Sequence, residues 1–336
     1  MFSYPNGVDS PTFMEFRTPV IPPRFPEGTI SHGSPILLIG SCFSDNIGEL
    51  MRDRLFEVTV NPFGPLYNPL SILSALDRLG RGALLSADDL FSHGALYHSV
   101  DFHSRFSRTT PLEALEAMNR SVEQASAALR SASAVIVTLG TVRVFRRRVQ
   151  GSPVVANCHK LPANHFLESR LTLDETVEAL DSIVATLKQV APSAAVIFTI
   201  SPLRYLGSGA HDNLIIKSTL ALALESVMTR HQGVLYFPAY EIMMDDLRDY
   251  RFYADDMRHP STVAVDYIFE KFLESACTPS TIALAGEARR LTRRLAHRDM
   301  TSGVDNSSVC SRLVSEFALS HPSVRQALSR FLTTSK

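Results

Sequence analysis

The sequence predicts a doubly wound α/β protein. Two observations carry this. Short, β-branched apolar runs alternate along the chain with amphipathic helical patterns, the signature of strand–helix–strand units. Runs such as VIVTLG and AVIFTIS are apolar on both sides of the alternation, as parallel strands buried on both faces are. In such sheets a ligand site lies beyond the carboxyl ends of the strands. GSCFS, NPFGPLYN, GTVR and SPLRY occupy those ends.

Taken in order, residues 1–35 are rich in proline and glycine and are expected to form an extended arm. Strands are expected at 36–39, 56–60, 134–139, 195–200 and 234–237, and helices at about 45–55, 69–79, 111–130, 174–190, 213–231 and 261–275. A main domain of 36–278 follows from this alternation. It is interrupted by poorly periodic segments at about 80–110 and 142–170, read as insertions over the sheet edge. The run RRR at 146–148 reads as a solvated hairpin face. Residues 279–336 are helical and Arg-rich, either packed on the domain or forming a subunit contact that would make a homo-oligomer.

Composition narrows the function. The chain has 336 residues, 45% hydrophobic and 20% charged, with a formal net charge of −1. That balance argues against nucleic acid or an anionic membrane as partner. The first residues, MFSYPNGVDSPTFMEF, lack the basic and apolar regions of a secretory signal, and no apolar run reaches the ~18–20 residues of a membrane span. The cysteines at 42, 158, 277 and 310 form neither a disulfide framework nor a CxxC ligand set. A reducing, cytoplasmic setting is expected, in which a thiol can serve as a reagent. A metal site drawn from His259, Asp256, His159 and Cys158 is disfavoured because no closely spaced ligand set occurs; no cofactor is implied.

Two stretches carry the chemistry. ILLIGSCFSDNIGELM runs from an apolar strand through glycine into a helix, with Ser41 and Cys42 side by side. A helix N-terminus at such a turn offers N–H groups to a developing oxyanion. A capping serine or a phosphate loop would look similar, but the glycine spacing and lysine of nucleotide loops are missing. ADDMRHPS places Asp256 three residues before His259, so that the carboxylate can orient one ring nitrogen and leave the other as a base. A capping aspartate and a surface histidine would leave the same pattern.

GSCF, NPFGPLYNP, VTLGT, VVANCHK, SPLRY and YFPAYEIMMDDLRDYRFYADDMRHPS occur in the order in which the GSCFA domain family has them. Over roughly residues 15–275 the sequence resembles that family, which is grouped with the GDSL/SGNH hydrolases. The resemblance implies a three-layer, flavodoxin-like α/β/α domain, a nucleophile after the first strand, and His259 with Asp256 as base and orienting acid. The parent block is strand–Gly–Asp–Ser. Laid over it, Gly40 takes the glycine place, Ser41 the aspartate place and Cys42 the serine place. The register selects Cys42 over Ser41, and strand alternation lets only one of them readily face the histidine. Gly64 fits the oxyanion glycine of the second block, or a tight turn. The third block's asparagine is replaced by Val142, leaving Asn157 and His159 of NCHK as candidate donors, Lys160 as a partner for an anionic group, and His103 as a polar neighbour.

The expected function is acyl transfer through an acyl-enzyme on Cys42, its thiol acidified by an imidazolium or the helix N-terminus. The reaction is hydrolysis of an ester or thioester, or transfer from a small-molecule acyl donor such as a coenzyme A or carrier-protein thioester to an amine or hydroxyl. The alternative is a non-catalytic ligand-binding module on the same scaffold.

Overall fold

The computed structural model describes residues 19–149, 151–298 and 307–334. Five strands form the central sheet: β1 (Ile36–Gly40), β2 (Val58–Val60), β3 (Ala134–Leu139), β4 (Ala195–Ile200) and β5 (Val234–Phe237). Their spatial order is 2-1-3-4-5 and every neighbouring pair is parallel, the flavodoxin-like form of the doubly wound fold.

The apolar character of both strand faces has a direct explanation. Leu37, Ile39, Val135, Val137, Leu139, Phe198 and Ile200 enter one core, covered by α2 (Pro69–Arg81), α3 (Pro111–Arg130), α4 (Leu173–Val190) and α5 (Ala210–Arg230). The alternate residues Ile36, Leu38, Ala134, Ile136 and Ile197 enter a second core on the other face, closed by α1 (Cys42–Arg52) and the helix Thr262–Ala276. Each fully buried Leu or Ile contributes roughly 1.5–3 kcal/mol. A polar residue at any of these positions would have no wet face to turn to.

Helix α1 starts at Cys42, three residues before the expected start. Ser41 is its N-cap and accepts the Phe43 N–H, while Phe43, Ile47 and Met51 supply the buried stripe. It stops at Arg52, and Leu55, at φ 58°, turns the chain back towards β2. The segment 80–110 contains the hairpin Phe91–His93 with Leu96–His98. The segment 142–170 folds as an antiparallel sheet of Arg143–Arg147, Val154–Val155 and Phe166–Arg170, which carries Arg146 and Arg147 on half-exposed positions.

From residue 19 the arm has no regular structure. It is pinned by Phe25 and Ile30, whose N–H groups donate to the carbonyls of Ser275 and Ala276 at 2.9 and 3.0 Å. The readings placed on residues 1–18 and 299–306 lie outside the described residues. The helices Pro279–Arg298, Ser307–Ser320 and Arg325–Thr334 build a third small core around Leu55, with Ala288, Leu291, Val324 and Leu328. This tail therefore packs where α1 ends and β2 begins, at the sheet edge opposite Cys42. Among the described residues no helix is long and apolar enough to cross a membrane.

Candidate active site

The β1–α1 turn is held from all sides. Gly40 has φ 143°, and a Cβ there would lie 2.2 Å from the Thr138 carbonyl oxygen, so only glycine lets β1 and β3 close at this point. The Gly40 N–H donates to Asn61 Oδ1 at 2.9 Å, and its carbonyl accepts from the Leu66 N–H at 2.7 Å. The Ser41 N–H donates to the Thr138 carbonyl at 3.1 Å, and the Ser41 carbonyl accepts from Asn61 Nδ2 at 3.3 Å and from the Ser44 N–H at 2.9 Å. Ser44 Oγ donates to Thr138 Oγ1 at 2.8 Å, which ties the first turn of α1 to β3.

Within this frame the two candidate nucleophiles differ. Ser41 is fully buried and its Oγ accepts the Phe43 N–H at 3.3 Å. Cys42 is the first residue of α1 and is half-exposed. The Cys42 thiol is not acidified, contrary to expectation. Burial pushes it up, and the Asp45 carboxylate one turn along α1 adds to this; the N–H groups of Cys42 and Phe43 and the Lys217 ammonium oppose them. The physical reason is desolvation of the half-buried thiol. Among the described residues no hydrogen bond joins His259 to the sulfur, and the helix N-terminus alone does not outweigh desolvation.

Asp256 and His259 do form a pair. Asp256 Oδ2 lies 2.5 Å from His259 Nδ1, and Oδ1 accepts the N–H groups of Arg258 and His259 at 2.9 and 3.0 Å. These bonds, the His259 N–H foremost, hold the carboxyl far below the usual range. A carboxylate at Nδ1 keeps the proton there and leaves Nε2 as the basic nitrogen. Both side chains are exposed, 49% and 45%. The pair precedes the helix Thr262–Ala276, which is capped by Ser261 and packs in the same core as α1. Cys42 and His259 thus head two helices that lie on one face of the sheet.

Of the two tasks open to Gly64, the tight turn is the one its hydrogen bonding fits. Its N–H donates to the Asn61 carbonyl at 2.8 Å, so it does not stand free for an oxyanion. Its φ of 86° and the 2.1 Å that would separate a Cβ from His103 Cβ show that glycine is needed there to seat His103. The His103 N–H donates to the Phe63 carbonyl at 2.8 Å, and Nδ1 accepts the Arg105 N–H at 3.2 Å, leaving the Nε2 proton unengaged by that turn. Arg105 in turn donates to the Asn61 carbonyl and stands 3.9 Å from Asp45.

His159 is likewise not an oxyanion donor. It is buried, with Nε2 2.7 Å from the Ser99 carbonyl and Nδ1 3.1 Å from Ser104 Oγ. A carbonyl can only accept, so Nε2 carries the proton and Nδ1 accepts from the serine. Asn157 Oδ1 accepts the His159 N–H at 3.0 Å, and Lys160 is exposed with φ 58°. NCHK therefore braces the 99–106 loop that carries His103. Val142, in the place of the third-block asparagine, is fully buried in the core.

Two residues were not anticipated. Asn61, fully buried at φ 42°, braces the turn from β2; an asparagine directly before Pro62 at a strand end is a turn signal. Lys217 is the other. On α5 it occupies an inward position in the series Asn213, Ile216, Leu220, Leu224, and a lone lysine within an apolar stripe is the signal that would have found it. It is 3% exposed. Burial holds its ammonium down to about 7, opposed by the charges of Cys42 and Glu241. Tyr67 also adjoins this field, its phenol pushed up to about 12 by burial and then by Cys42 and Asp45.

The sheet order defines a flavodoxin-like α/β protein; the β1–α1 turn and, through the Arg204 N–H bond to the Arg258 carbonyl, the Asp–His loop lie towards the carboxyl end of the sheet. The model of the GSCFA family matches residues 35–272, and the chain belongs to that family. A comparison with curated proteins finds no match. Among solved structures, the chain is similar to an acetyl xylan esterase from the rumen bacterium Butyrivibrio proteoclasticus, at 10% identity and TM-score 0.37 over 72% of this chain and 63% of that one. It is also similar to a family two carbohydrate esterase from Clostridium thermocellum, at 12% identity and TM-score 0.34 over 73% of this chain and 63% of that one. The chain thus spans less than two thirds of either esterase.

Proposed function

We propose that this chain is an acyl-transfer enzyme that forms a thioester on Cys42. The reading rests on one observation: at the β1–α1 turn the polar groups of Gly40 and Ser41 all have partners, while the Cys42 side chain stands half-exposed at the helix N-terminus. Ser41 then serves as cap and brace, and the sulfur attacks.

In this mechanism His259 Nε2 takes the Cys42 proton as the sulfur bonds to the acyl carbon of an ester or thioester. The Cys42 N–H at the head of α1 faces the developing oxyanion. The adduct collapses, the bond to the leaving group breaks, and the leaving group recovers the proton from Nε2. Water, an alcohol or an amine then gives a proton to Nε2 and attacks the thioester, and the Cys42 thiol is regenerated. His259 Nε2, exposed and already oriented by Asp256, closes on the sulfur once a substrate is seated; catalytic hydrogen bonds commonly tighten only then. A sulfur nucleophile exchanges directly with thioesters, which makes a coenzyme A or carrier thioester a fitting donor. Lys160 is an exposed cation on the loop that braces His103.

A second reading, a ligand-binding module without catalysis, is favoured by Val142 and by the engaged Gly64 N–H, since both remove oxyanion donors. Intact-mass spectrometry after exposure to p-nitrophenyl esters and acyl thioesters separates the two. The enzyme reading expects an acyl adduct on wild type and Ser41→Ala and none on Cys42→Ala. An adduct that survives Cys42→Ala would sink it, and no adduct with any donor favours the binding module.

A further inference from the structure

Arg105 is a cation that the acyl-transfer steps leave unused, and its backbone is held more firmly than a surface arginine needs. It lies in the short turn Ser104–Phe106. Its N–H donates to His103 Nδ1 at 3.2 Å, and its carbonyl accepts from the Arg108 guanidinium at 3.0 Å. The preceding Ser104 hydroxyl bonds His159 Nδ1 at 3.1 Å. His103 in turn needs the glycine at 64, where a Cβ would lie 2.1 Å from its own.

The side chain reaches the β1–α1 turn by direct contact. One N–H of the guanidinium donates to the Asn61 carbonyl. Asn61 is the residue whose side chain holds the Gly40 N–H at 2.9 Å and the Ser41 carbonyl at 3.3 Å. A second nitrogen stands 3.9 Å from Asp45 Oδ1. Asp45 follows Cys42 by three residues in α1, and side chains so spaced share a helix face with Cβ atoms ~5–6 Å apart. The guanidinium therefore sits between the first turn of α1 and the residue that grips the turn of Cys42.

Most of its donors are uncommitted. A guanidinium has five N–H groups; the Asn61 carbonyl takes one, and among the described residues the other four have no hydrogen-bond acceptor. Asp45 is the one carboxylate within ion-pair distance among those residues, and 3.9 Å is too long for a hydrogen bond. The two side chains are 44% and 30% exposed, so water screens the pair. The Phe106 ring, 5.2 Å from the guanidinium carbon, backs one face of the fork and leaves its edge to a ligand.

We propose that Arg105 is a specificity-determining residue of the Cys42 site, where it receives a carboxylate carried by the acyl group a few bonds from the carbonyl that the sulfur attacks. The substrate class is then the half-thioester or half-ester of a short dicarboxylic acid. The planar fork of N–H groups matches a carboxylate bidentately. A phosphate offers similar oxygens, but those of a coenzyme thioester lie many bonds from the reacting carbonyl, too far for a residue that meets the first turn of α1. Asp45 competes for the same cation, and its loose, screened pairing lets it give way. The proposal rests on Cys42 being the reactive group.

The test compares Cys42 alkylation by iodoacetate and by iodoacetamide, read by peptide mass spectrometry. The reagents differ as a carboxylate from a neutral amide, and both need the thiolate, so their rate ratio cancels the acidity of the thiol. At low salt the ratio of iodoacetate to iodoacetamide in the folded wild type should exceed that of the urea-unfolded chain by about tenfold. Arg105→Gln should lose most of this preference, Arg105→Lys should keep part of it, and Asp45→Asn should raise it. A ratio no higher than in the unfolded chain, or one that Arg105→Gln leaves unchanged, overturns the proposal. Two measurements on wild type stand even where a variant does not fold. Salt at about 1 M should abolish the preference, and succinate should slow iodoacetate more than inorganic phosphate does. A preference that survives the salt, or equal protection by phosphate, overturns the assignment to a carboxylate. Alkylation needs no acyl donor. An Arg105-dependent preference without any acyl adduct would therefore reject the acyl-transfer reading alone, and an adduct on Cys42 without the preference would reject the carboxylate site alone.

Discussion

Asp256 holds His259 at two points, through the backbone N–H at 3.0 Å and through Nδ1 at 2.5 Å. The ring is thereby oriented before any substrate arrives, on an exposed loop whose failure would not unfold the domain. Asp256→Asn should keep the melting temperature and slow acylation of Cys42 on the order of 10²-fold or more, because the carboxylate that fixes the tautomer is lost. Stopped-flow acylation with a p-nitrophenyl ester measures this. A rate equal to wild type would remove the pair from the mechanism.

Ser41→Ala separates cap from nucleophile. The Ser41 hydroxyl accepts the Phe43 N–H, and loss of such a cap costs about 0.5–2 kcal/mol. Urea denaturation should show that decrease, while mass spectrometry still finds the acyl group on Cys42. Loss of the adduct in a folded Ser41→Ala would point to the oxygen instead.

Asn61→Ala should be the more damaging change, although Asn61 need touch no substrate. It strips a partner from the Gly40 N–H and from the Ser41 carbonyl in a fully buried setting, and it places alanine at φ 42°. An unsatisfied buried donor costs ~1–3 kcal/mol. Denaturation should show a loss in that range together with slower alkylation of Cys42, since the turn that presents the thiol slackens. Unchanged alkylation would confine Asn61 to stability.

What the sequence discloses here depends on how far apart the interacting residues lie. Strands β3 and β4 are legible because burial on both faces leaves runs that are apolar on both sides of the alternation, and the Asp256–His259 pair because it is local. The start of α1 is misplaced because Ser41 and Cys42 stand out first as chemistry and only secondly as a helix cap. Lys217 could not be assigned because its acceptors, the carbonyls of Gly140 and Ser201, lie 77 and 16 residues away and leave no mark in side-chain identity. His159 and Gly64 are noticed for their motifs, which do not say which of the tasks open to each residue it performs. Whether a ring nitrogen or an N–H is free depends on Ser99, Ser104 and Asn61, which only the fold brings up to them.

His159 yields the clearest pH prediction. Its ring donates from Nε2 to the Ser99 carbonyl and accepts at Nδ1, so a second proton would place an imidazolium in a buried site and reverse the bond to Ser104, whose hydroxyl would then have to accept. Burial, with the charges of His98 and His103 added, holds it down to about 4 against the pull of the Ser99 carbonyl. The unfolded chain takes up that proton near 6.5. Between about 6.5 and 4 the unfolded state therefore binds more protons, and stability falls as pH drops through that window and stays level above it. His159→Gln removes the titrating group. Its melting temperature at pH 7.5 should be lower than wild type, because the Nδ1 bond is lost, yet it should fall less between pH 7.5 and 4.5. His32, whose pKa burial also lowers, is present in both proteins and cancels in the comparison. Equal falls in the two proteins would show that His159 takes up its proton without loss of the Ser104 and Ser99 contacts.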